Sequence, residues 1–172
     1  MVKALKDKVV LIGMPGCGKT TIGKVLAKEL NYNFYDMDSY IEEISEKTVK
    51  ELFVDGEEVF RAWETKACEE LSKKKRAIIS SGGGVIKKCI NTEILRKEGI
   101  ILFIDRPIEM ILEDVDVNSR PLLNGGKEKI YELYDERYEL YNAAADEVIA
   151  NEGFLRDTID DAIKTLKNKI KE

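Results

Sequence analysis

Histidine is absent from all 172 residues. The chain therefore lacks the side chain that most often moves a proton near neutral pH, and any proton abstraction falls to a carboxylate. Cysteine is sparse and odd in number: Cys17, Cys68 and Cys89 have no metal-ligand spacing and read as free thiols of a reducing compartment. No apolar run is long enough to cross a bilayer, and the N-terminus lacks a signal-peptide core, so a cytoplasmic protein away from membranes is expected. A net charge of −5 offers no attraction to a polyanion, so no nucleic-acid partner is expected. The one basic run, Lys73-Lys74-Lys75-Arg76, reads as a partner for a helix C-terminus. Repeats and interdomain linkers are also missing, and the length suits a single domain over 1–172.

What is present begins with Gly13-Met14-Pro15-Gly16-Cys17-Gly18-Lys19-Thr20. This run fills every fixed position of the triphosphate-binding pattern G-x-x-x-x-G-K-[ST]. Residues 9–12 ahead of it read as a buried strand, and Ile22, Val25, Leu26 and Leu30 behind it fall at helical spacing. Strand, glycine turn and helix start together aim backbone N–H groups at one point, where a phosphate is favoured. Lys19 is expected to reach the β- and γ-phosphates, and the Thr20 hydroxyl to ligate Mg²⁺. Gly16, Cys17, Gly18, Lys19, Thr20 and Thr21 are the expected nucleotide contacts. Cys17, beside a lysine and converging N–H donors, is expected to be the most reactive thiol.

Strand and helix patterns alternate along the rest of the chain. Strands are predicted at 33–35, 77–80, 100–104 and 147–149. Helices are predicted from about Ser39, over 49–53 with Thr48 as cap, and along the stripe Phe60, Trp63, Ala67 and Leu71. Further helices are expected at 92–98, from near Pro107, at 129–144 and at 155–170. The predicted fold class is α/β, one parallel sheet covered on both faces.

Several further residues could carry chemistry. Asp36 and Asp38 end the second strand, at the sheet edge where ligands of open parallel sheets bind. One could orient hydrated Mg²⁺ while the other meets a substrate hydroxyl; Asp38 could equally cap the helix that follows. Arg61 and Glu64 stand at i, i+3 on one helix, a pairing that carries no message by itself. Gly82-Gly83-Gly84 lets the backbone approach a ligand, although a plain loop is the alternative. Arg120 lies in the long polar stretch and could fold over phosphates. Arg137 shares a helical face with Ile130, Tyr134 and Tyr141 and so points inward, toward a carboxylate or along the surface as a snorkelling side chain.

Taken in order, these motifs resemble the shikimate kinase family of phosphate-loop proteins, over nearly the whole chain from Lys8 to Ile170. The resemblance implies a three-layer α/β/α fold with a five-stranded parallel sheet, a substrate-binding helical segment at about 38–65 and a lid at about 114–127. It implies transfer of the ATP γ-phosphoryl group to the 3-hydroxyl of shikimate by a monomer, with Mg²⁺. Asp38, Arg61, Gly83 and Arg137 would be the shikimate contacts. Glu64 would hold Arg61, with Gly82 and Gly84 beside it. Asp36 would reach Mg²⁺ through water, Thr20 directly. Lys19, Asp38 and Arg120 would be the catalytic groups. The chain departs from the family pattern at Glu113, where an arginine against the adenine is common. It departs again between Leu52 and Arg61, one residue shorter than in some relatives, and at Ala150-Asn151-Glu152-Gly153, which has no proline. A kinase for another hydroxylated acid such as gluconate, and a non-catalytic nucleotide-binding regulator, are the alternatives.

Overall fold

The computed structural model describes residues 3–114 and 126–172. Its centre is β1 (Lys8–Ile12), every residue of which is buried. The other strands are β2 (Asn33–Asp36), β3 (Ala77–Ser80), β4 (Gly99–Asp105) and β5 (Glu147–Ala150). They form one five-stranded sheet in the order β2-β3-β1-β4-β5, with every pair parallel. The continuously apolar run in β4 has the burial expected of a strand covered on both faces. After β3 the chain crosses over β1 to reach β4, so the sheet reverses its direction of growth at β1. The crevice at the C-terminal end of β1 is therefore the place where such sheets bind ligands.

The helices are α1 (Lys19–Leu30), α2 (Met37–Ser45), α3 (Val49–Asp55), α4 (Glu57–Leu71), α5 (Cys89–Glu98), α6 (Ile108–Asp114), α7 (Lys127–Ala144) and α8 (Leu155–Leu166). A short 3₁₀ turn covers Val85–Lys87. Along α4, Phe60, Ala67 and Leu71 are buried as the stripe required, and Trp63 is half-buried against the core. Thr48 caps α3 in a capping box: its hydroxyl accepts from the Glu51 N–H at 3.1 Å, and the Glu51 carboxylate accepts from the Thr48 N–H at 2.7 Å. Replacing Thr48 with alanine is expected to lower stability by about 1 kcal/mol in a urea melt. An unchanged midpoint would show that the box contributes nothing to this helix.

Three local expectations are corrected. Asp36, not Asp38, is the N-cap of α2, accepting from the Ser39 N–H at 3.0 Å, because the helix starts at Met37. The last helix ends at Leu166 rather than running to residue 170, since Asn168 adopts a left-handed φ of 65° and Ile170 bridges to Lys6. The run 73–76 places no basic residue in the last turn of α4. Its side chains serve tertiary contacts instead: Lys75 pairs with Asp7 at 3.3 Å, and Arg76 lies over the Tyr32 ring.

Candidate active site

The loop between β1 and α1 is built around a cation at an unfavourable place. Lys19 opens α1, where the helix dipole presents its positive end, and is only 8% exposed. Loop acceptors offset this: Nζ donates to the carbonyls of Gly13 at 2.8 Å and Met14 at 3.0 Å, and lies 3.7 Å from the Cys17 sulfur. The ammonium is thereby held at the centre of its own loop. Cys17 is fully buried, so its thiol has no open path to a reagent and the expected reactivity loses its physical basis. Thr20 and Thr21, at the start of α1, are exposed.

At the exit of the loop, the Thr20 hydroxyl donates to the Asp36 carboxylate at 3.3 Å and lies 3.5 Å from the Ser80 hydroxyl. Asp36 thus has two tasks, since its other oxygen caps α2. These three oxygen-bearing groups, brought from α1, β2 and β3, are the hard donors that Mg²⁺ requires, and they are few enough to leave room for water and phosphate.

The second half of the crevice is lined by α4, α7 and the glycine triplet after β3. Arg61 and Glu64, an ordinary spacing in the sequence, are both buried, and Nη1 meets the Glu64 carboxylate at 2.9 Å. Glu57 approaches the other side of the guanidinium at 3.3 Å and is itself paired with Lys87 at 2.9 Å. Burial pushes the Glu64 carboxyl above the usual carboxylate range, with Arg61 acting in the opposite direction and Asp38 in the same one. Arg137 is 1% exposed on the inward face of α7. Among the described residues its Nε and Nη1 have no hydrogen-bond partner, and neither does the second Glu64 oxygen. Buried polar atoms of this kind are rare, and three of the four among the described residues lie at this crevice; the fourth, Arg96 Nε, lies near Asp146.

The glycine triplet permits that gathering. A Cβ on Gly82 would lie 3.0 Å from Asp38 Oδ1 and 3.2 Å from Glu64 Oε2. One on Gly83 would lie 3.4 Å from Arg137 Nη1, and one on Gly84 would sit 2.7 Å from the Arg61 guanidinium carbon. Side chains at Gly82 and Gly84 would press on the charged groups, and one at Gly83 would meet the Pro15 ring at 2.9 Å.

Of the expected site residues, Asp38, Arg61, Glu64, Gly82, Gly83, Gly84 and Arg137 are brought against one another, Gly83 packs against Pro15 of the loop, and Thr20 meets Asp36, whereas Arg120 lies outside the described residues. No role for Ser80, Tyr141, Arg106 or Asn151 followed from the motifs, although Tyr141 shares the helical face of Arg137 and Asn151 lies in the segment 150–153 that departs from the family pattern. The Tyr141 hydroxyl donates to the Gly83 carbonyl, and burial raises its pKa above the ordinary phenol value. Arg106 donates to the Gly16 carbonyl at 3.0 Å, and Asn151 to that of Cys17 at 2.8 Å. Tyr141, Arg106 and Asn151 act on backbone far away in sequence, and Ser80 meets the Thr20 hydroxyl 60 residues away, contacts that no local pattern encodes.

The family model for shikimate kinase matches residues 15–167. The chain belongs to the shikimate kinase family. It is 54% identical over 168 residues to a shikimate kinase of Clostridium beijerinckii, covering 98% of this chain and 95% of the relative. A shikimate kinase of Clostridium botulinum is 52% identical, covering 96% and 98% respectively. Among solved structures, shikimate kinase from Acinetobacter baumannii in complex with shikimate superposes with a TM-score of 0.87. It is 34% identical, with 96% of each chain covered. The expected fold and kinase class are thereby borne out: this is a phosphate-loop kinase with a five-stranded parallel sheet.

Proposed function

We propose that this kinase transfers the γ-phosphoryl group of ATP, bound with Mg²⁺, to the 3-hydroxyl of shikimate. The observation that carries this is the pair of buried arginines, Arg61 and Arg137, converging beside Asp38 at the edge of the phosphate loop. Two guanidiniums in a desolvated crevice suit a carboxylate, and a neighbouring aspartate suits the hydroxyl of the same small molecule. The relative solved with shikimate adds support from outside the chain.

In this reading Arg61 and Arg137 clamp the substrate carboxylate, Glu64 holds Arg61, and Gly83 lets the ring approach the backbone. Asp38 accepts the proton of the attacking hydroxyl as its oxygen bonds to the γ-phosphorus and the bond to the β-phosphate oxygen breaks. Lys19 stabilises the charge passing to the leaving ADP, and Arg120 is assigned the same task from the lid. Mg²⁺, held by Thr20 and through water by Asp36, would neutralise phosphate charge when bound. Gly16, Gly18 and Thr21 would line the phosphates with backbone N–H groups, and Cys17, whose own N–H closes onto the Met14 carbonyl, shapes the loop between them. No helix among the described residues is long and apolar enough to cross a membrane. A cytoplasmic monomer with no nucleic-acid or membrane partner completes the proposal.

The test is ADP release from ATP and Mg²⁺, with and without acceptor. Shikimate is expected to raise the rate by about a hundredfold or more, as water is excluded until the acceptor is in place. Gluconate is expected to leave it at background. Equal ADP release with and without shikimate would sink the proposal, and faster turnover with gluconate would replace its substrate.

A further inference from the structure

We propose that Asn151, oriented by Thr158, is a positioning residue for the nucleotide half of the site. It fixes the peptide between Cys17 and Gly18 so that the Gly18 N–H faces the phosphates. The proposal rests on the reading that residues 13–20 take the triphosphate, and it adds a residue from the far end of the chain.

Asn151 follows β5 directly, and its backbone N–H donates to the Asp105 carbonyl at 2.8 Å, tying it to the end of β4. Its side-chain Nδ2 donates to the Cys17 carbonyl at 2.8 Å. The Thr158 hydroxyl donates to Oδ1 at 3.1 Å. A carbonyl can only accept, so the NH₂ group must face Cys17 and the amide oxygen must face Thr158. Thr158 is itself buried in the first turn of α8, which makes the support rigid.

The consequence follows from peptide geometry. The Cys17 carbonyl and the Gly18 N–H belong to one planar trans unit and point in opposite directions. Pulling the oxygen toward Asn151 turns the N–H to the other side, as an anion-binding nest requires. Gly18 has a left-handed φ of 103°, and a Cβ there would lie 3.0 Å from Asn151 Nδ2. Glycine at this motif position therefore answers both the backbone conformation and the close approach of Asn151. The preceding carbonyl, of Gly16, is held at 3.0 Å by Arg106 from the end of β4, while the Cys17 N–H closes a turn onto the Met14 carbonyl at 3.1 Å. Two successive peptides of the loop are thus held from outside by groups following β4 and β5. Without Asn151 the second peptide can rotate and present its oxygen to the phosphates.

The experiment uses the full chain as Asn151→Ala, Thr158→Val and Thr158→Ser. MgADP binding is measured by calorimetry and both substrate KM values by steady-state kinetics, with melting temperatures recorded alongside. Loss of a hydrogen bond that orients a charge-binding donor predicts that Asn151→Ala weakens MgADP binding and raises the ATP KM by about tenfold. The shikimate KM is expected to stay within about twofold, since its clamp on α4 and α7 is untouched. Thr158→Val should shift nucleotide binding in the same direction, and Thr158→Ser, which keeps the hydroxyl, should restore it. If Asn151→Ala does not fold, the Thr158 pair carries the same contrast. The proposal is overturned if wild type binds MgADP and the alanine and valine variants bind it equally well. It is also overturned if both substrates weaken in proportion as the melting temperature falls. A wild-type chain that binds no MgADP overturns the phosphate-loop reading beneath it.

Discussion

Arg137→Ala is expected to weaken shikimate binding by about thirtyfold or more, the loss typical of truncating one partner of a desolvated charge pair. MgADP binding should change by less than about twofold, because the phosphate loop is carried by different elements. The direction of the stability change separates this role from a structural one. A buried cation with two unpartnered nitrogens is a desolvation cost to the unliganded fold, so its removal should leave the melting temperature unchanged or higher. One opposing effect is present: Arg137 helps to stabilise the Glu64 carboxylate, although Arg61 does so more strongly. Arg137→Lys is not expected to rescue binding, since an ammonium lacks the planar fork that meets a carboxylate with two parallel bonds. Normal shikimate binding by the alanine variant would remove Arg137 from the substrate site.

The distinction between what the sequence disclosed and what it withheld follows the range of the interactions. Parallel strands and amphipathic helices are written in local periodicity, so the α/β layering and the position of the phosphate loop were legible. Arg137 was legible for the same reason: an arginine on the apolar stripe of a helix marks an inward-facing charge through spacing alone. Arg61 and Glu64 were legible only through the resemblance, because spacing cannot distinguish an exposed i, i+3 pair from one sealed under a glycine triplet. A helix read from about Ser39 made Asp38 the candidate cap; α2 begins two residues earlier, at Met37, and Asp36 takes that place. Asn151 and Arg106 act on peptide carbonyls 134 and 90 residues away, contacts that no window of sequence contains.

Lys19→Ala is expected to slow turnover by about a hundredfold or more, the cost of removing a preorganised group that meets charge as it develops. The ammonium is held by the Gly13 and Met14 carbonyls inside the loop that would receive the phosphates. Its attraction grows as negative charge moves toward the leaving oxygen, so the loss should fall on kcat more than on the KM for ATP. The KM for shikimate should change by less than about twofold, because no residue of the acceptor half depends on Lys19. Stability offers a second check. The variant removes a cation from the positive end of α1 but leaves two carbonyls without their donor, and these effects oppose each other. Its melting temperature should therefore move by only a few degrees, on the order expected for about 1 kcal/mol. Lys19→Arg should not restore the rate, since the slot is 8% exposed and shaped to a compact ammonium rather than a guanidinium plane. A Lys19→Ala enzyme with kcat intact and a raised ATP KM would assign Lys19 to ground-state binding alone, and the charge-stabilising role would then have to rest elsewhere in the site.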